Sequence, residues 1–171
     1  MIRALFVSAI LCLAVSCGYH ISGHADLVPK SIRTIAIPAF GNLTVHYKLT
    51  DKLPEAVARE FIARTRYKIV TDPNTADAVL RGTVINYVSY PTIFDPISNR
   101  AAAVQFDVTL QASLVNRRTG EVIWQRPSFD MKELYEISTD PRAYFDESGV
   151  AIDRLCGATA QTIVSAILEN F

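Results

Sequence analysis

Between Ala102 and Asn116, Val104, Phe106, Val108, Leu110, Ala112 and Leu114 alternate with Gln105, Asp107, Thr109, Gln111 and Ser113. Strict period-two alternation over eleven positions predicts a long antiparallel strand with one buried and one wet face. Its neighbours must pair along its length. Arg117-Arg118-Thr119-Gly120 reads as a hairpin turn. The return strand carries Val122 and Trp124 in one phase, then Phe129, Met131, Tyr135 and Ile137 in the other. A one-residue slip exchanges faces, so a β-bulge is expected near Arg126-Pro127-Ser128. Before the long strand, Ala78 to Tyr90 has Leu80, Val84 and Val88 pointing one way and Val79, Ile85 and Tyr87 the other. A strand apolar on both sides lies inside a sheet or against something beyond the domain. Pro91, Asp95-Pro96 and Asn99-Arg100 then predict a loop of about ten residues.

Two helical patterns accompany these strands. Leu49, Leu53, Val57, Phe61 and Ile62 form a stripe on a helix capped by Thr50 or Asp51 and running to about Thr65, with Pro54 in its first turn. Ile152, Leu155, Thr159, Ile163, Ala166 and Ile167 form another from about Ser148 to Glu169, with Cys156, Ala160 and Val164 alongside. Ile32 to Phe40 reads as a first strand, with Pro38 marking an edge or a strand end. Tyr67 to Val70 reads as a short second strand. The order predicts an α+β fold: two amphipathic helices packed on one face of a mostly antiparallel four- to five-stranded sheet.

The amino terminus has a different character. Arg3 precedes a twelve-residue apolar run from Ala4 to Val15, too short to span a hydrocarbon layer that needs about 20 residues. Val15-Ser16-Cys17 fits the last three positions of a bacterial lipobox, with Ala14 where Leu is usual and Leu13 one place early. The expectation is a lipoprotein signal over 1–16, lipidation at Cys17, a tether over 17–31 and a single domain over 32–171. A plain secreted protein, or a short anchor with a chance cysteine, is the other reading of these residues.

Half of the residues are apolar, 20% are charged and the net charge is zero. That balance fits a globular chain with a real core and argues against nucleic acid as a partner. Cys12 falls in the signal and Cys17 would be lipidated, so Cys156 is left alone and no disulfide framework exists. It reads as a small buried hydrophobe. No catalytic constellation appears, whether G-x-S-x-G, H-E-x-x-H, C-x-x-C or a glycine-rich phosphate loop. His20, His24 and His46 lack placed carboxylates, so no metal, cofactor or enzymatic activity is expected. Arg100, Arg117, Arg118 and Lys132 are candidates for phosphate contacts on a lipid headgroup, and Arg81 lies mid-strand between apolar neighbours.

Several stretches resemble the LptE family of lipopolysaccharide-assembly lipoproteins. They are Cys17-Gly18-Tyr19-His20, Ile32 to Asn42 with the helix that follows, Ala76-Asp77-Ala78-Val79-Leu80-Arg81-Gly82, and Thr119-Gly120-Glu121-Val122-Ile123-Trp124. The resemblance implies two helices on a four-stranded sheet and a non-enzymatic role. It further implies a plug inside the LptD β-barrel of the outer membrane that assists barrel assembly, binds lipopolysaccharide and helps deliver it to the outer leaflet. Gly18 after the cysteine is consistent with outer-membrane sorting. A periplasmic assembly or pilot lipoprotein for a different secretion channel is the competing reading; a hydrolase or metal protein is a third.

Overall fold

The computed structural model describes residues 28–138 and 147–169. The signal, Cys12, Cys17, His20 and His24 lie outside them, as does most of the 17–31 tether. Val28, from the end of that tether, is 2% exposed and packs in the main core.

The long alternation does form the spine. Strand β5 (Ala101–Asn116) pairs antiparallel with β4 (Ala78–Phe94) on one side and β6 (Val122–Glu136) on the other. At about 3.4 Å per residue these strands run about 50 Å. Val104, Phe106, Val108, Leu110, Ala112 and Leu114 are all buried on one face of β5. In β6 the expected bulge is present: Leu110 opposes Phe129 and Ala112 opposes Arg126, leaving Pro127 and Ser128 across from Gln111.

Two expectations along β4 are corrected. A register shift between Val84 and Asn86 leaves Ile85 unpaired and exchanges the faces beyond it. Tyr87 therefore lies opposite Val108 on the helix side, while Val88 lies opposite Asp107 on the open side. The expected ten-residue loop is largely strand. β4 continues to Phe94, and a tight turn with Asn99 at φ 54° leads to Ala101. Above β2 (Gly41–Asn42) β4 pairs only with β5 among the described residues, so Pro91 sits on an edge where a missing donor is tolerated.

The amino-terminal half makes the sheet mixed. β1 (Thr34–Ala36) lies between β3 (Lys68–Val70) and β4, parallel to both, and β2 runs parallel to β4. The order is β3-β1-β4-β5-β6. Parallel neighbours need a crossover, which helix α1 (Lys48–Arg64) supplies between β1 and β3. Pro38 thus ends a strand, but that strand is internal and not an edge.

Helix α1 starts at Lys48, ahead of the expected caps, and Tyr47 makes no side-chain bond at the N-cap position. Leu49, Leu53, Val57 and Phe61 are buried, whereas Ile62, one residue off that row, is 63% exposed. Pro54 has no N–H to give the Thr50 carbonyl. The backbone N–H of Phe40 donates to that oxygen at 3.3 Å. Helix α2 (Ser148–Glu169) buries every residue of its expected stripe. Lys52 pairs with Asp153, and Arg64 reaches Ser165 at 2.7 Å and Glu169 at 3.1 Å, which joins the two helices. Arg154 Nε donates to Glu133 at 2.6 Å, tying α2 to β6.

Candidate functional site

Both helices begin beside Tyr87 and Phe106, partway along β4 and β5. Beyond them the β4–β5 hairpin presents Ile93, Phe94 and Ile97, the last 94% exposed. Asp95 holds this turn by accepting from the N–H groups of Ile97 at 3.1 Å and Ser98 at 2.6 Å. The Ser98 N–H foremost lowers its pKa below the usual carboxylate range. Arg100 stands beside this apolar tip, and its guanidinium has no hydrogen-bond or ion-pair partner among the described residues.

On the helix side, where both helices begin, four rings form a row across the strands. His46 stacks on Tyr87 at 3.9 Å, Tyr87 meets Phe106 at 5.3 Å, and Phe106 meets Tyr135 at 4.8 Å. They line a cleft of about 460 Å³ with Val45, Tyr47 and Ile152. Burial, with Tyr135 adding to it, pushes the Tyr87 phenol up to about 12, so it stays neutral.

The open face of the sheet carries a polar network. Gln105 Nε2 donates to Asp107 at 2.6 Å and to the Tyr90 hydroxyl at 2.8 Å, and Tyr90 donates to Asp107 at 3.2 Å. Lys132 lies 3.4 Å from the same carboxylate. The Gln105 amide first, then Lys132 and Tyr90, hold Asp107 below its ordinary pKa. Arg81 is exposed on this face, opposite Ser113.

The far end holds the other two candidates. Arg117 Nε donates to the Ala76 carbonyl at 2.6 Å, and Arg118 lies 3.6 Å from Asp77. Asp77 in turn accepts from the N–H groups of Arg33 at 3.0 Å and Thr34 at 3.1 Å, and from Thr34 Oγ1 at 2.9 Å. These bonds, that from Arg33 foremost, lower its pKa.

The four cations therefore do not converge. Arg100 and Arg117 sit at opposite ends of β5, about 50 Å apart, and Lys132 is engaged by Asp107. The exposed Ile93, Phe94 and Ile97 went unremarked in the sequence; the signal was three large apolar residues in a segment read as loop. Cys156 is 2% exposed, and burial foremost pushes its thiol up to about 11, which leaves it without thiolate character. Among the described residues no three His, Cys, Asp or Glu side chains gather for a metal ion, and no helix is long and apolar enough to cross a membrane.

Two helices on one face of a long-stranded mixed sheet define an α+β fold shared with several small lipoproteins. The fold is similar to a rare lipoprotein B from Shewanella oneidensis, at 12% identity and a TM-score of 0.52 over 78% of this chain and 92% of that one. It is similar also to a minor lipoprotein from Acinetobacter baumannii, at 17% identity and 0.50 over 81% and 92%. A PelC dodecamer from Paraburkholderia phytofirmans matches at 14% identity and 0.53 over 80% and 89%. No curated protein matches the sequence. The chain belongs to the LptE family, lipopolysaccharide-assembly, whose model matches residues 32–167. It is thus a member of a family of non-enzymatic outer-membrane lipoproteins that serve lipopolysaccharide assembly.

Proposed function

We propose that this protein is held to the periplasmic side of the outer membrane by a lipid on Cys17, plugs the LptD β-barrel, helps that barrel assemble and assists lipopolysaccharide transport to the outer leaflet. The observation that carries this reading, beyond family membership, is the geometry of the long meander. The described chain enters the sheet at Arg33–Thr34, and the hairpin with Ile97 and Arg100 lies about 50 Å away along β4 and β5. That length exceeds a hydrocarbon core of about 30 Å. A domain leashed at the inner leaflet and seated in a barrel lumen can therefore carry its tip to the depth of the outer leaflet. The polar open face of β5 suits a wet lumen.

Co-purification tests the partner: native protein should carry a lipopolysaccharide-export barrel with it, and repeated recovery of none overturns the plug. Cys17→Ser should abolish lipid labelling and membrane fractionation; a variant that fractionates unchanged removes the anchor.

For lipopolysaccharide itself, Arg100 is the leading candidate because its guanidinium has no partner among the described residues and apolar side chains flank it, matching a phosphorylated, acylated ligand. Arg100→Glu is expected to weaken binding by about tenfold, the scale of a charge-assisted contact. Arg117, Arg118 and Lys132, which have internal partners, are the comparison. A larger loss from Arg117→Ala with Arg118→Ala would move the contact to the other end. The fold likeness to a dodecameric protein supports the competing reading, a pilot lipoprotein for another secretion channel. Native mass spectrometry separates them, since a homo-oligomeric ring without a barrel favours the second.

A further inference from the structure

The charges of this neutral chain are distributed unevenly along the strands. Four segments meet where the described chain enters the sheet: residues 28–33, 65–68, 76–77 and 116–121. Thr34 pairs with Lys68, Ile35 with Ala78, and Ala78 with Asn116, while the Arg117 N–H donates to the Asp77 carbonyl at 2.9 Å. These segments carry six cations, Lys30, Arg33, Arg66, Lys68, Arg117 and Arg118, against two carboxylates, Asp77 and Glu121. Asp77 is already committed to Thr34, the Arg33 backbone and Arg118. Lys30, Arg33, Arg66 and Lys68 have no side-chain partner among the described residues. Arg64, just behind, is balanced by Glu60 and Glu169. The far hairpin, residues 93–100, carries one charge of each sign, Asp95 and Arg100.

We propose that this basic end lies against anionic phospholipid headgroups and acts as a second, electrostatic contact that orients the domain on the membrane holding its lipid. The inference rests on the Cys17 anchor for its placement. Even fully extended at about 3.3 Å per residue, the chain from Cys17 to Val28 reaches under about 40 Å. The end nearest the bilayer is therefore the end at which Val28 and Arg33 enter. Basic residues beside a lipid anchor add electrostatic attraction to anionic headgroups. Each cation close to an anionic surface contributes about 1 kcal/mol, and the effect fades beyond a Debye length of about 10 Å at 0.1 M salt. Headgroup contact at this end would fix which end of the domain faces the bilayer that holds the anchor, with the Ile97–Arg100 hairpin at the other end.

The test uses the mature chain, residues 17–171, carrying Cys17→Ser, so that no lipid contributes. Its sedimentation is compared with vesicles of phosphatidylcholine alone and with an equal mixture of phosphatidylcholine and phosphatidylglycerol. Binding to the mixed vesicles is expected to be at least about tenfold tighter at low salt and to fall as salt rises. Arg66→Glu with Lys68→Glu should remove that preference, whereas Arg100→Glu, at the other end, should keep it. Equal binding to both vesicles, or an equal loss in the Arg100→Glu chain, overturns the proposal. Circular dichroism identifies a variant that fails to fold, and Arg66→Gln with Lys68→Gln then replaces it, with a smaller loss expected. Failure here leaves lipid labelling at Cys17 intact, and failure of that labelling leaves this vesicle result standing, so the two readings fall separately.

Discussion

Gly82→Ala is expected to destabilise the domain by about 2 kcal/mol, and Gly82→Val by about 3 kcal/mol, through overpacking. A Cβ built on Gly82 would stand 2.5 Å from two atoms of the Phe40 ring and 2.8 Å from a third. Real Cβ atoms do not approach that closely, so the ring must move. Phe40 is 2% exposed and sits in the main core between the end of β1 and the start of α1, with little room to yield. Its backbone N–H also serves the carbonyl that Pro54 leaves unpaired. Displacing Phe40 therefore disturbs the sheet and the entry of α1 together. Thermal unfolding should show the Ala variant lower by about 4–8 °C for a chain of this size. A double-mutant cycle gives the sharper readout. Phe40→Leu should recover part of the Gly82→Ala loss, because the smaller side chain vacates the site that the new methyl group needs. Strictly additive losses would show that the ring is not what Gly82 accommodates.

This pair also explains part of what the sequence discloses and what it conceals. The alternation in β5, the bulge beside Pro127 and the α2 stripe are local periodicities, and each appears where the residues place it. The bulge at Ile85 carries no comparable sign. Val84, Ile85, Tyr87 and Val88 are all acceptable on either face, so the exchange is set by pairing with β5. The parallel placement of β1 is likewise nonlocal, since a three-residue strand between β3 and β4 depends on a crossover that no window of sequence contains. Of the candidate site, the cation identities were legible, and so was the separation of Arg100 from Arg117 and Arg118, since the predicted strand lies between them. The engagement of Lys132 by Asp107 was not, because it depends on the register between β5 and β6.

The polarity of the molecule follows from that topology. The end where the described chain enters is basic and bound into the sheet by Asp77, whereas the far hairpin is apolar and held by its own turn. Polar residues of β5 lie between them on the open face. A module built in this way offers a charged, a polar and an apolar surface at three successive heights without any moving part.

The integrity of the end where the described chain enters the sheet depends on one carboxylate. Asp77→Ala is expected to cost about 3 kcal/mol, since it removes the acceptor for the Arg33 and Thr34 N–H groups and for Thr34 Oγ1, three bonds to a charged oxygen at a partly buried site. Asp77→Asn keeps one acceptor oxygen and should lose about half as much. The sign of the pH dependence follows from the lowered pKa of Asp77. A carboxyl whose folded pKa lies below its unfolded value of about 3.9 contributes stability that is complete above that value and is lost as pH falls through the folded pKa. Urea unfolding at descending pH should therefore show the gap between the natural chain and Asp77→Asn narrowing below about pH 4. A gap that stays constant would mean that the charge on Asp77 contributes nothing and that its geometry alone matters. The effect should be local as well as global. With Asp77 neutral, the Arg33 and Thr34 amides should exchange hydrogen faster than those in the middle of β5, because they open without unfolding the meander. Such fraying would loosen the attachment of β1 before the core melts.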